Sequence, residues 1–242
     1  MDAPVNLLIH GASGRMGRAL LRLAADDPRL RVVAAVHRGS DAAFDAGVPA
    51  IAPDRLDEAP AFDVAIDFSR PAGLESVLAT CVARGRGLVS GTTGLSPSQF
   101  EGLDAAGATI PVLWAANFSA GVAVLAALVR QAAAALPGWD ADILEAHHVH
   151  KRDAPSGTAL LLGDAVTAGR GRPPAYASVR AGDIVGEHTV QLSGRGERLE
   201  LVHRATDRDI FARGALDAAL RLHRLGPGRH DLGEMLLAAA PG

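Results

Sequence analysis

The sequence predicts an α/β protein, with a doubly wound parallel-sheet domain followed by an α+β region built on a mixed sheet. Three observations carry this expectation. Up to Asn117, short apolar runs suited to buried strands alternate with segments of helical length. A turn of three glycines, Gly11, Gly14 and Gly17, stands between the first apolar run and the first helical segment. After Asn117 three strand-like runs follow one another through glycine turns with no helix between them.

In chain order, Val5 to His10 (VNLLIH) reads as a buried strand, and Gly17 to Ala25 as a helix whose Leu20, Leu21 and Leu23 share helical spacing. Arg31 to Val36 and Val64 to Phe68 are the next strands. A helix over Glu75 to Arg84 leads to the strand Gly87 to Ser90. A helix over Ser96 to Ala106 leads to the strand Pro111 to Trp114. Gly121 to Leu136 is an Ala/Val/Leu helix, too short and too broken to span a membrane. Asp142 to Ala146 (DILEA) and the His-rich run follow, and a helix is expected from about Pro155 to Ala168, with Pro155 in its first turn. Val179 to Gly182, Glu187 to Leu192 and Arg198 to His203 make the mixed sheet, Gly169 to Pro174 a polar loop. Helices over Phe211 to Arg224 and Asp231 to Ala239 complete the chain.

Composition narrows the function class. A net charge of -3 leaves no basic footprint for nucleic acid. With one cysteine, Cys81, no disulfide framework or cysteine metal site is available. No basic stretch precedes an apolar core at the N-terminus and no apolar run is long enough for a membrane, so a cytoplasmic enzyme is expected. Aromatics make up 4% of the chain, so Ala, Val and Leu must build the core.

Gly11, Ala12, Ser13, Gly14, Arg15 and Met16 form the strand-to-helix turn. Glycines there let the backbone approach a pyrophosphate, and a helix N-terminus offers N–H donors and a positive dipole end. A dinucleotide-binding domain follows from that placement. The second strand ends in His37 and Arg38, where an acid would hold the adenosine ribose of NAD. Arg38, helped by protonated His37, suits a 2′-phosphate instead. The expected cofactor is therefore NADPH, with NADH also usable. Gly91, Thr92 and Thr93 follow the fourth strand, and Ala115, Ala116, Asn117 and Phe118 the fifth. All lie at the C-terminal edge where such sheets bind ligands, and are expected cofactor contacts.

Lys151 is the only lysine among 24 basic Lys or Arg residues. It lies within EAHHVHKRDAPSGTA, Glu145 to Ala159, beside His147, His148 and His150. Only lysine of the two offers a compact ammonium that gives up a proton. At its ordinary pKa of about 10.4 it acts first as a charge. A metal site is the weaker reading of the histidines and a buried hydrogen-bond network the stronger one. Ser156, Gly157 and Thr158 open a helix, a place where backbone N–H groups hold a small carboxylate. A carboxylate site with proton donors, added to a dinucleotide turn, reads as a reductase.

GASGRMG, DFSRP, GTTG, AANFS, EAHHVHKRDAPSGTA, VRAGDIVGEH and FARGA together resemble the 4-hydroxy-tetrahydrodipicolinate (dihydrodipicolinate) reductase family of bacterial lysine biosynthesis. The resemblance implies NAD(P)H-dependent reduction to tetrahydrodipicolinate in the diaminopimelate route, without a metal. It implies His147 as proton donor or acceptor and Lys151 as a second acid. His148, Gly157 and Thr158 would hold the carboxylates of a small dicarboxylate substrate. Gly11 to Met16, Arg38, Gly91 to Thr93 and Ala115 to Phe118 would bind the cofactor. It further implies a dinucleotide-binding domain of residues 1–118 and 212–242, a substrate-binding and oligomerisation domain of residues 119–211, and a homotetramer.

Two departures from the family pattern stand out. His37 replaces the acidic residue common at the ribose position, which argues against strict NADH use. The stretch from Gly169 to Val179 is shorter than usual, with consequences for closure or assembly. Another NAD(P)-dependent reductase of a small carboxylate or imine would keep the glycine turn but has no need of HHVHKRDAPSGT. A nucleotide-sensing regulator has no need of His147 and Lys151.

Overall fold

The computed structural model describes residues 3–38 and 47–238. These divide into two compact units, residues 3–118 with 211–238 and residues 119–210. The first unit opens with β1 (Val5–His10), α1 (Arg15–Ala25), β2 (Leu30–Val36), the two-residue β3 (Ala50–Ile51) and a 3-10 turn over Pro53–Glu58. Then come β4 (Val64–Asp67), α2 (Pro71–Arg84), β5 (Gly87–Ser90), α3 (Pro97–Gly107) and β6 (Pro111–Trp114). The second unit holds α4 (Ala120–Ala135), β7 (Asp140–His147), α5 (Gly157–Arg170), β8 (Ala175–Arg180), β9 (Gly186–Ser193) and β10 (Arg198–Ala205). From α6 (Asp209–Leu222) the chain returns to the first unit with β11 (Gly228–His230) and α7 (Leu232–Leu237).

The first unit is a parallel sheet of seven strands in the order β11-β6-β5-β4-β1-β2-β3. Strand order reverses between β1 and β4, and in open α/β sheets a ligand crevice forms outside the strand ends at such a reversal. β4 and β5 are buried at every position, as central parallel strands should be. α1 buries Gly17, Leu20, Leu23 and Ala24 along one stripe. α3 starts at a capping box in which Ser96 and Gln99 satisfy each other's backbone N–H groups. Leu8, Phe62, Leu74, Leu88, Leu103 and Ile110 pack one core cluster. Cys81 lies within it, and burial pushes its thiol well above the ordinary range.

The second unit is a mixed four-stranded sheet, β10-β9-β7-β8, with only β7 and β8 parallel. β9 alternates buried and half-buried positions, so one face meets a core of Leu125, Val129, Ile143, Leu162, Val166 and Leu192. α4 and α5 supply that core and touch closely at Gly169, where a Cβ would lie 2.4 Å from the Arg130 carbonyl oxygen. Leu144, Val179, Leu199 and Val202 are exposed.

The α/β class and the change of sheet type are as the sequence predicts. Three local expectations need correction. Pro155 stands outside α5, because Ser156 is the N-cap and its hydroxyl accepts from the Ala159 N–H. β8 covers Ala175–Arg180 rather than Val179 to Gly182; it is an edge strand without an alternating pattern, and Gly182, at φ +48°, lies in the turn after it. β3 and β11, two and three residues long, are too short for any period to reveal them. The last helix ends at Leu237, and Ala239 lies outside the described residues.

Gly17 shows how tightly α1 seats on the turn before it. A Cβ there would stand 2.4 Å from the Gly11 carbonyl oxygen and 2.5 Å from Ala12 Cα. Backbone must move to make room, so Gly17→Ala is expected to cost at least the ~1–3 kcal/mol typical of overpacking. Denaturant unfolding measures it, and an unchanged midpoint contradicts the contact.

Candidate active site

In the first unit, a candidate site lies at the β1/β4 strand ends. Gly11 takes φ +82°, and a Cβ there would lie 2.5 Å from the Phe68 carbonyl oxygen. The Gly11 and Ala12 N–H groups both donate to Val36 O at 3.0 Å, which ties the turn to the end of β2. Gly14 is the N-cap of α1; no side chain caps that end and no acid occupies its first turn. A cavity of about 350 Å³ opens here, lined by Gly11, Ser13, Gly14, His37 and Arg38 and, from the β4 side, by Phe68, Ser69, Arg70 and Gly73. His10 lines it too. A glycine cradle, an uncapped helix start and, among the described residues, no lining carboxylate fit a dinucleotide.

The remaining expected cofactor contacts are not among the residues that line that cavity. Gly91 is required by the Phe68 ring, 2.1 Å from where its Cβ would be. Phe118 is buried and meets Phe68 edge-on at 5.4 Å. Thr92 is buried; its hydroxyl donates to Asp67 at 2.7 Å and accepts from the Ser69 N–H at 3.1 Å. Arg15, Thr93 and Ala116 are exposed, Met16, Ala115 and Asn117 half-buried.

Sequence reasoning missed the acid beneath this cavity. Asp67, fully buried at the end of β4, accepts from His10 Nδ1 at 2.8 Å, from Ser90 Oγ at 2.9 Å and from Thr92, with the Ser69 N–H at 3.2 Å. Burial raises the energy of its charge, but His10, Ser69 and Thr92 outweigh it and hold its pKa below the ordinary value. Asp67 pairs with His10 and with Ser90 in the parallel register, so three adjacent strand ends meet in one network. DFSRP and GTTG were visible as motifs; their joint work on one carboxylate was not.

In the second unit, a separate cluster of polar residues lies on β7, β8, β9 and the start of α5. Glu145 is buried, and Arg180 from β8 grips it with two hydrogen bonds of 2.7 and 3.0 Å. His147 Nδ1 lies 2.5 Å from Glu145 Oε2, the oxygen that also accepts from Arg180 Nη1. Burial opposes the Glu145 charge, yet Arg180, Ser178 and His147 overcome it and hold Glu145 down at about 2. An ionised Glu145 only accepts, so Nδ1 of His147 carries the hydrogen and Nε2 is the nitrogen with chemistry left. Burial pushes His147 below the ordinary histidine value; Glu145 pulls upward, and the charges of Lys151 and Arg180 push down again. Lys151 Nζ pairs with Asp153 at 2.8 Å, with its side chain one-fifth exposed.

α5 is anchored from the sheet. Ser156 Oγ accepts from the Ala159 N–H and is hydrogen-bonded to His188 Nε2, 3.2 Å away. Gly157 and Thr158 follow as the first helical residues, whose N–H groups lie outside the helix's own ladder. A Cβ on Gly157 would meet nothing within 4 Å. His148 Nε2 takes a hydrogen bond from Arg208 at 2.9 Å, and His148 and His150 are ring neighbours at 6.2 Å. Among the described residues no group of three or more His, Cys, Asp or Glu is placed to hold a metal ion. Arg180 and His188 were missed as site residues because only sheet register joins them to Glu145 and His147.

Comparison with known proteins decides the family. A model described as dihydrodipicolinate reductase, N-terminus, matches residues 5–118, and one described as its C-terminus matches residues 121–236. The chain belongs to the dihydrodipicolinate reductase family. It is 62% identical over 236 residues to the 4-hydroxy-tetrahydrodipicolinate reductase of Xanthomonas campestris pv. campestris (strain B100), covering 97% of this chain and 99% of the relative. The Stenotrophomonas maltophilia (strain R551-3) protein of that name is 62% identical over 237 residues, again 97% and 99%. Among solved structures, a dipicolinate-bound dihydrodipicolinate reductase from Paenisporosarcina sp. TG-14 superposes with a TM-score of 0.84 at 21% identity, over 97% of this chain and 99% of that one. The diaminopimelate dehydrogenase of C. glutamicum gives 0.65 at 16%, over 100% and 97%, which marks a shared fold.

The histidine cluster of this family member makes its stability depend on pH. His188 is pushed down to about 4, first by burial and then by His147 and His203. Folded His188 therefore stays neutral where an unfolded histidine, near pH 6.5, takes up a proton. Its stabilising contribution is whole above pH 6.5 and is lost as pH falls towards 4, at up to ~1.4 kcal/mol per pH unit. Unfolding curves across that window should show the slope, and His188→Gln should flatten it; parallel slopes contradict the assignment.

Proposed function

We propose that this family member reduces 4-hydroxy-tetrahydrodipicolinate to tetrahydrodipicolinate with NAD(P)H and a proton, the 4-hydroxyl leaving as water, in the diaminopimelate route of lysine biosynthesis. The observation that carries the reading is identity of 62% across nearly the whole chain to reductases of that name, together with a buried Glu145–His147 pair beside Lys151. The first unit is the dinucleotide-binding domain and the second the substrate-binding and oligomerisation domain. Bound dinucleotide supplies a hydride. The chain's own residues do the rest.

Gly157 and Thr158 hold one substrate carboxylate on the α5 N-terminus, and His148, oriented by Arg208, meets the dicarboxylate from the loop before it. Fixing the ring by its carboxylates is the proximity contribution to the rate. His147 exchanges a proton at Nε2 while Glu145 stabilises the imidazolium through Nδ1. Lys151 adds a positive charge near His147 and near the carboxylates, where it stabilises developing negative charge.

His37 and Arg38 both line the first-unit cavity, which supports NADPH as the preferred nucleotide with NADH also accepted. The exposed Leu144, Val179, Leu199 and Val202 of the mixed sheet support assembly, and the family reading makes it a homotetramer. No helix among the described residues is long and apolar enough to cross a membrane, which agrees with a cytoplasmic enzyme.

The deciding assay follows NADPH and NADH oxidation with substrate generated in place by dihydrodipicolinate synthase; no oxidation of either overturns the function. Lys151→Arg should keep turnover within about tenfold and Lys151→Met should lose far more, since charge is the role assigned. Equal losses in both variants would instead make Lys151 an acid. Arg38→Ala should raise the KM for NADPH about tenfold or more, the worth of one charge-assisted hydrogen bond, and leave NADH unchanged. A native enzyme that prefers NADH tenfold in kcat/KM rules out the NADPH preference.

A further inference from the structure

Among the described residues, the polar side chains lining the first-unit cavity are His10, Ser13, His37, Arg38, Ser69, Arg70 and Ser76, with no carboxylate among them. One carboxylate lies just beneath. Asp67 is fully buried, and its oxygens are held ionised by donors from three strand ends. A dinucleotide brings its diphosphate into this cavity, and repulsion between two anions grows as water is excluded. The His10 side chain touches Asp67 at 2.8 Å and also lines the cavity. Because the ionised carboxylate only accepts, Nδ1 of His10 donates, and Nε2 is the ring nitrogen left to meet a ligand.

We propose that His10 is a further dinucleotide-binding residue: its ring screens the diphosphate from Asp67 and offers its second nitrogen to the bound nucleotide. The inference rests on the dinucleotide reading of the cavity given above. Room for the ring is built into α2, where a Cβ on Gly73 would stand 3.0 Å from His10 Cε1 and 2.9 Å from Ser69 Oγ. His37 and Arg38 at the end of β2 and Arg70 before α2 also face the cavity, while the hydrogen bonds on the Asp67 carboxylate come from His10, Ser69, Ser90 and Thr92. The guanidinium charges of Arg38 and Arg70 add a general attraction. The masking of Asp67 belongs to His10.

Two features separate this role from that of Arg38. The diphosphate is common to both nucleotides, so His10 acts on NADH and NADPH alike, whereas a 2′-phosphate contact acts on NADPH alone. The effect also depends on Asp67, so neutralising that carboxylate must relieve it.

Dissociation constants for NADH and NADPH, read from nucleotide fluorescence on titration, test the idea in the native protein, His10→Ala, His10→Gln and His10→Ala/Asp67→Asn. His10→Ala is expected to weaken both nucleotides by about tenfold and to the same extent. His10→Gln, which keeps a donor over Asp67, is expected to stay within about threefold of native. The double variant should bind better than His10→Ala. Thermal melts accompany each titration, and where the double variant is unfolded the Gln/Ala comparison decides. Native-like binding by His10→Ala, equal losses in His10→Ala and His10→Gln, or a folded double variant no better than His10→Ala each overturns the inference while leaving the cavity assignment intact. Failure of the native protein to bind either nucleotide overturns both.

Discussion

A carboxylate taken out of water keeps its charge only when donors meet its oxygens, and each unit of this protein is organised around one such group. In the first unit Asp67 draws His10, Ser90 and Thr92 together from the ends of β1 and β5 and the loop after β5. In the second, Glu145 draws Arg180 from β8 and His147 from its own strand. Removing one partner from a buried ion pair strands the other charge, at a cost of ~3–5 kcal/mol. These networks therefore fix where the strand ends stand, and with them the glycine turn and the start of α5.

The electrostatic settings of the two networks differ in a way that matches their tasks. Asp67 is enclosed and its pKa lowered, so it is a fixed charge whose influence must be managed. Glu145 is also held ionised, but its partner His147 retains a second nitrogen and sits where burial and Glu145 pull its protonation in opposite directions. A histidine under opposing influences of similar kind is well placed to take up and release a proton.

Much of the fold was legible in the sequence because its central strands are short apolar runs. VNLLIH, VAID and GLVS are buried at nearly every position, and no helical reading accommodates runs so short. β8 was misplaced because an edge strand answers to pairing with β7 rather than to burial. The site was legible where its residues are adjacent in sequence, as in Glu145 to Thr158. It was not legible where register brings residues together. His188 stands opposite Glu145 in the antiparallel ladder and Arg180 opposite His147 in the parallel one, and no local spacing encodes either pairing. VRAGD and GEH carried part of the family resemblance, but nothing in their local sequence says that they reach back to β7.

The solitary Lys151 has a practical consequence. Its ammonium is the one ε-amine in the chain, partly exposed and beside the Glu145–His147 pair. Reagents that acylate or reductively alkylate amines meet a single side-chain target here. Isotopic labelling of lysine gives one side-chain ammonium resonance without assignment. The protein thus carries its own spectroscopic probe at the position where substrate charge is expected to gather.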